Sequence, residues 1–156
     1  MHIESRITPF LSYPDQAQQA AEFYVSVLPD SRILQTVKNP ANGDVLTVEF
    51  ECCGLKMVTL NTGQDWKFTP AMSLAVACQS QEEIDAVWRG LTADGGTEVS
   101  CGWLTDKFGV SWQVFPVQVY QWLGSQQPDS IQRMFNELWQ MTKIDLARLQ
   151  AAFEGR

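Results

Sequence analysis

The apolar pattern of this chain runs through one order of elements and then repeats it. RITPFLS at 6–12 alternates as a strand, and PDQAQQAAEFYVSVL places Ala20, Phe23, Tyr24, Val27 and Leu28 at helical spacing, with Asp15 as N-cap and Pro29 as the stop. Three strand runs follow at 32–38, 45–52 and 55–61, separated by the turn signals Asn42-Gly43-Asp44 and Gly54. From residue 72 the order begins again. MSLAVAC reads as a strand, Ser80-Gln81-Glu82-Glu83 as a capping box, and Ile84, Val87, Trp88 and Leu91 as the buried stripe of a helix. Two or three strands after Asp94-Gly95-Gly96 end in the Asp106-to-Gly109 turn and VSWQVF at 110–115. Two copies of strand, helix and three strands predict an α+β chain. Each helix covers one face of a mixed sheet, and the opposite face is left to curl.

After Pro116 the pattern changes. Ile131, Met134, Phe135, Leu138 and Trp139 share a helical face behind Asp129, and Leu146, Leu149 and Phe153 share another. These spacings predict two C-terminal helices that pack on the module or on a partner subunit. The expected organisation is a single domain: module one at about 5–62, module two at about 70–116 and a helical tail at 117–156. With 156 residues, 45% of them apolar, the chain is long enough for one core and short for two independent ones.

Charge narrows the partners. Eleven Lys and Arg against 18 Asp and Glu give a net charge of −7. A nucleic acid or an anionic membrane surface needs positive patches, so neither is expected. No apolar run approaches the ~20 residues that cross a bilayer, and MHIESRITPF lacks the basic-then-apolar layout of a signal peptide, so the cytoplasm is the expected location. Cys52, Cys53, Cys78 and Cys101 form no C-x-x-C pair and read as thiols packed like small hydrophobes; adjacent cysteines are strained as a disulfide, and none is expected.

Strand alternation sorts the side chains by face. Val110, Trp112 and Val114 point one way, Ser111, Gln113 and Phe115 the other. Met72, Leu74, Val76 and Cys78 form a bulky set opposite Ser73, Ala75 and Ala77. With the bulky sets under the helices, the opposed face carries Thr8, Phe10, Thr59, Asn61, Ser73, Ala75, Gln113 and Phe115. Short neutral side chains on a concave sheet, with a few convergent polar groups, make a small-molecule pocket. A Gln in an apolar strand costs about 1–3 kcal/mol if left unbonded. Gln113 is therefore either the floor of such a pocket or a core residue satisfied by its neighbours. Trp66, Phe68, Trp103 and Phe108 offer an aromatic rim.

FYVSVLPDSRI at 23–33, KFTPAMS at 67–73 and CGWLTDKFGVSWQVFP at 101–116 resemble the PhnB-like branch of the vicinal oxygen chelate superfamily, which includes glyoxalase, bleomycin-resistance and dioxygenase members. The resemblance reaches MTKIDLARLQAAF near the end. It implies duplicated βαβββ modules whose sheets curl around a cavity, commonly in a homodimer. Metal-dependent relatives hold a divalent ion through His, Glu or Gln on the first and last strands of the modules. The matching places are Thr8, a residue near Met57 to Thr59, Met72 or Ser73, and Gln113, and of these Gln113 alone is of the ligand type.

A catalytic zinc or iron site takes about three His, Cys or carboxylate ligands. The single histidine, His2, stands outside the ligand-bearing strand, and Glu49 and Glu51 read as the solvated side of theirs. No metal and no other cofactor is expected. Cys101 reads as structural, since no internal histidine is present and Lys107 is the nearest cation in sequence. The resemblance also brings the label demethylubiquinone methyltransferase, yet no Gly-rich turn follows a strand to hold adenosylmethionine. The expected function is metal-independent binding of an apolar or aromatic small molecule, at a pocket of Thr8, Phe10, Asn61, Phe68, Ser73, Cys101, Trp103, Gln113 and Phe115. The alternatives are a metal-dependent lyase, isomerase or dioxygenase, and an interaction module working through the C-terminal helices.

Overall fold

A computed structural model of the chain describes residues 7–156, so His2 and Arg6 lie outside the described residues. The chain divides into two compact units: the first ends at Lys67 and the second is Phe68–Arg156.

The first unit contains β1 (Phe10–Tyr13), α1 (Ala17–Val27), β2 (Arg32–Lys38), β3 (Val45–Cys52) and β4 (Leu55–Asn61), in the sheet order β1-β4-β3-β2 with β1 parallel to β4. The second has β5 (Ser73–Cys78), α2 (Gln81–Thr92), β6 (Thr97–Glu98), β7 (Trp103–Thr105) and β8 (Ser111–Pro116), in the order β5-β8-β7-β6 with β5 parallel to β8. The two sheets share one topology, and the order of elements along the chain repeats as the sequence pattern predicts. The first strand starts at Phe10, later than the apolar run suggests, and Met72 stands exposed ahead of β5.

Each helix covers its own sheet. Ile84, Val87, Trp88 and Leu91 of α2 are all buried, as their spacing requires. On α1 the buried stripe is Ala17, Ala20, Ala21 and Tyr24, while Phe23 and Val27 are half-buried. Small alanines let this helix lie close to the sheet, and Tyr24 supplies the bulk. It stacks on Phe50 at 6.0 Å and shares a 3.0 Å hydroxyl bond with Tyr13. The capping box at Ser80 forms with a shift. Ser80 Oγ accepts from the Glu83 N–H at 3.3 Å, but Glu83 Oε2 reaches back to the Gln79 N–H, one residue before the cap.

The two C-terminal helices that the spacing predicts form as α4 (Pro128–Leu138) and α5 (Leu146–Glu154), and a short α3 (Gln118–Leu123) joins them to β8. Met134, Met141, Ile144 and Leu149 form their core. The link between α4 and α5 is fastened to the turn before β7 and to the start of α2. Cys101 and Gly102 donate their N–H groups to the Met141 and Thr142 carbonyls, both at 2.8 Å. Gln81, at the start of α2, donates to the Ile144 carbonyl at 3.1 Å and accepts from the Leu146 N–H at 2.7 Å. Among the described residues no helix is long and apolar enough to cross a membrane.

Candidate functional site

Gln113 lies in the middle of β8, between Trp112 and Val114, which are buried toward the helix side. Alternation turns Gln113 to the other face, where its Nε2 donates to Ser73 Oγ at 2.8 Å. The pairing register sets Ala75 and Trp103 on either side of Gln113, and Ser73 and Thr105 on either side of Ser111. The strands β5, β7 and β8 read SLAVAC, WLT and SWQVFP, without a charged residue on any of them. This face is therefore neutral, with short side chains, one indole and a hydrogen-bonded amide.

Module one departs from the expected facing. Thr59 is fully buried, and its Oγ1 donates to the Ala17 carbonyl at 2.8 Å, so it faces the helix. Asn61, two residues on, does the same: its Oδ1 accepts from the Ala17 N–H at 2.8 Å while its Nδ2 donates to the Val45 carbonyl at 3.0 Å. Assigning polar residues to the open face inverted β4, because here it is polar groups that close the start of α1. Gln16, at the N-cap position, makes no side-chain bond there, so the cap expected of Asp15 comes from Asn61. Asn61→Ala should lower stability by about 1–2 kcal/mol, read as a shifted urea midpoint at unchanged slope.

With β4 in its true phase, the open face of module one carries Phe10, Val58 and Glu49, which align across three strands, and Gln35 beyond them. Phe10 is 55% exposed there. Glu49, read from the sequence as part of the solvated side of its strand, thus brings a carboxylate to this face. Glu51 lies on the same face but is paired with Arg32 at 3.6 Å. Thr8 is exposed and precedes β1, so it has no place in the sheet.

In module two, Phe115 turns out to belong to the tail. It packs against the cluster of Met134, Met141, Ile144 and Leu149 and meets Tyr120 edge-on at 5.2 Å. Cys101 occupies a left-handed turn position, φ 61°, beside Gly102, and lies on no strand. Lys107 is ion-paired with Asp94 at 3.6 Å. Phe68 is half-buried in the connection ahead of β5. Of the expected pocket residues, Ser73, Trp103 and Gln113 are brought together in one sheet.

Asp106 goes beyond its expected turn role. It is 3% exposed; Oδ1 accepts from the Phe108 and Val110 N–H groups at 2.8 and 3.1 Å, and Oδ2 accepts from Trp112 Nε1 at 2.8 Å. The only sequence signal was the spacing of an Asp ahead of a Gly, which marks a turn and says nothing of the indole.

None of the four cysteines is in a disulfide. Cys53 is exposed in the two-residue β3–β4 turn, where it and Gly54 have φ of 50° and 81°. Cys52 is buried, which pushes its thiol up to about 11. Iodoacetamide at pH 8 should therefore modify Cys53 first, with Cys52 and the buried Cys78 reacting only on unfolding, as read by peptide mass spectrometry.

Neither of two clefts is lined by Gln113. One, of about 810 Å³, opens beside the start of α1 and is lined by Asp15, Gln18, Glu22, Asn42, Asp44 and Asn61 among others. The second, of about 490 Å³, runs between Gln81 and Asp85 of α2 and residues 143–150.

Comparison with known proteins places the chain. Residues 5–115 match the family described as 3-demethylubiquinone-9 3-methyltransferase. The chain belongs to this PhnB-like family. A PhnB protein from Bacillus cereus, itself called a putative 3-demethylubiquinone-9 3-methyltransferase, is 34% identical, with 70% of this chain and 98% of that one covered and a TM-score of 0.65. A protein from Pseudomonas aeruginosa is 17% identical over 72% of this chain and 98% of its own, at a TM-score of 0.59. The fosfomycin resistance protein FosX from Listeria monocytogenes, crystallised with Mn(II) and dihydroxypropylphosphonic acid, is 14% identical over 78% of this chain and 99% of its own, at a TM-score of 0.58. These last two share the fold. No curated protein matches the chain.

The family match ends at Phe115, so the resemblance read over MTKIDLARLQAAF lies beyond it. The PhnB-like domain accordingly carries three helices outside the matched region. Among the described residues no three His, Cys, Asp or Glu side chains converge, and the neutral strands of module two offer Gln113 alone as a donor of ligand type.

Proposed function

We propose that this PhnB-like chain binds an uncharged apolar or aromatic small molecule on the Gln113 face of module two, without a metal. The observation that carries this reading is the absence of any charged residue on β5, β7 and β8, together with an indole and a hydrogen-bonded amide at neighbouring positions. Trp103 supplies a flat apolar surface, and Gln113, held by Ser73, supplies a directional polar group. That combination orients a ring without requiring charge. Methyl transfer is not part of the reading. The β1–α1 and β5–α2 connections are Pro14-Asp15-Gln16 and Gln79-Ser80, and neither has the glycines that let a cofactor approach the start of a helix.

The test is a nitrogen-edited NMR titration with neutral aromatic fragments, run beside a thermal-shift screen of Mn²⁺, Ni²⁺ and Zn²⁺. The expected result is a set of shifts centred on the Trp103 indole and the Gln113 side-chain amide, with no change in midpoint from the metals. A stoichiometric ion that raises the midpoint, and fails to do so in Gln113→Ala, overturns the reading. It would favour the second one, a metal-dependent lyase, isomerase or dioxygenase, for which Glu49 on the open face of module one is the observation in favour. We place the protein in the cytoplasm as a homodimer. Trp139, 62% exposed on the tail, is a contact such a dimer or another chain would cover.

A further inference from the structure

We infer that Phe115, backed by the C-terminal helices, is the end wall of the Gln113 face, and that this wall confines the ligand to a single uncharged ring. The inference rests on reading the Gln113 face as the ligand site and says what size of molecule that site selects.

Alternation along β8 puts Ser111, Gln113 and Phe115 on one face, and the pairing register extends each level across the sheet. The middle level is Ala75, Gln113 and Trp103. Ala75 is exposed and the other two are half-buried, so a ligand can reach them. At the next level, Ala77 and Phe115, the face is closed. Ala77 is half-buried where Ala75 is exposed. Phe115 packs against the cluster of Met134, Met141, Ile144 and Leu149 and meets the Tyr120 ring edge-on at 5.2 Å. On the other side of Gln113, Ser111 is 4% exposed, so the face is covered at that level as well. From Ser111 to Phe115 the strand runs about 13 Å, and the side chains at either end shorten the open part to about the length of one aromatic ring. Such a ring lies against Trp103, beside the Gln113 amide.

The wall is held in place from two directions. Cys101 and Gly102, immediately ahead of Trp103, donate to the Met141 and Thr142 carbonyls at 2.8 Å, and an ideal Cβ on Gly102 would lie 2.8 Å from Ile144 Cδ1. The link between α4 and α5 is thus seated on the turn that leads into β7. Gln81 holds the same link from the start of α2, through the Ile144 carbonyl at 3.1 Å and the Leu146 N–H at 2.7 Å. The residues packed on Phe115 all follow it in the chain, whereas the family match ends at Phe115 itself. The size limit therefore belongs to the tail of this chain and not to the matched domain.

The probes are phenol and 2-naphthol, both uncharged in neutral buffer, each titrated into the full chain and followed by NMR at the Trp103 indole and the Gln113 side-chain amide. Where the second ring is buried, its added carbons tighten binding by about tenfold or more. The parent should bind 2-naphthol no more than about threefold tighter than phenol, and Phe115→Ala should raise that ratio to at least about tenfold. A parent that already prefers 2-naphthol by about tenfold overturns the wall and leaves the aromatic-binding reading standing. A ratio that is the same in the parent and in Phe115→Ala overturns it too. If neither probe moves the Trp103 or Gln113 resonances, the reading beneath the inference fails with it. Should Phe115→Ala not fold, Phe115→Leu keeps an apolar contact with the tail, shortens the side chain and carries the same comparison, with a smaller rise in the ratio expected.

Discussion

Gly102→Ala should cost about 3 kcal/mol and lower the melting midpoint by roughly 10 °C. Two independent penalties meet at this residue. Its φ is +80°, a left-handed conformation that disfavours any Cβ by about 1–2 kcal/mol. The added Cβ would also lie 2.8 Å from both Ile144 Cδ1 and the Val114 carbonyl oxygen. The isoleucine methyl is the end of a flexible side chain, but the carbonyl is fixed in the sheet and cannot give way. Gly109 separates the two penalties. Its φ is +89°, yet nothing lies within 4 Å of its ideal Cβ, so Gly109→Ala should cost only the conformational part, about 1 kcal/mol. Urea denaturation of both variants makes the comparison. Equal losses would mean that the close approach of Ile144 and Val114 to the turn is absent in solution.

Asp106→Ala should be the most damaging single change on the second sheet, at about 3–5 kcal/mol. It strands three donors at once: the N–H groups of Phe108 and Val110 and the indole N–H of Trp112, with Val110 and Trp112 themselves buried. Asp106→Asn is the finer test. An amide oxygen can keep the two backbone bonds, but its nitrogen then faces the Trp112 N–H, donor against donor, so a loss of about 1–3 kcal/mol is expected with a changed Trp112 emission. If both variants unfold at the same denaturant concentration as the parent, the carboxylate is not holding the indole.

Which parts of this were legible in the sequence follows from how local their signals are. The stripe of α2, the repeated order of strands and helices and the facing of β8 are written in periodicity, and the residues Ile84, Val87, Trp88 and Trp112 stand where it puts them. The facing of β4 was not, because alternation gives a period and no absolute phase. Thr59 and Asn61 look like open-face residues until one sees that α1 lacks a local side-chain cap and takes one from 44 residues away. Glu49 shows the same limit: a charge on an alternating strand marks the face away from the helix without saying what else shares that face. Phe115 was assigned correctly to a face but not to a neighbour; its contacts belong to helices beyond the family match, and α3 itself is too short to leave a clear period.

The bonds from Cys101 and Gly102 to Met141 and Thr142 make those two amides reporters of something other than the sheet they adjoin. Their deuterium uptake cannot proceed until the link between α4 and α5 lifts away, whereas amides inside the β5–β8 ladder wait for the sheet to open. An opening of the tail alone would expose the first pair while the second stayed protected. The turn at residues 101–102 thus records sub-global fluctuations of a region forty residues further along the chain.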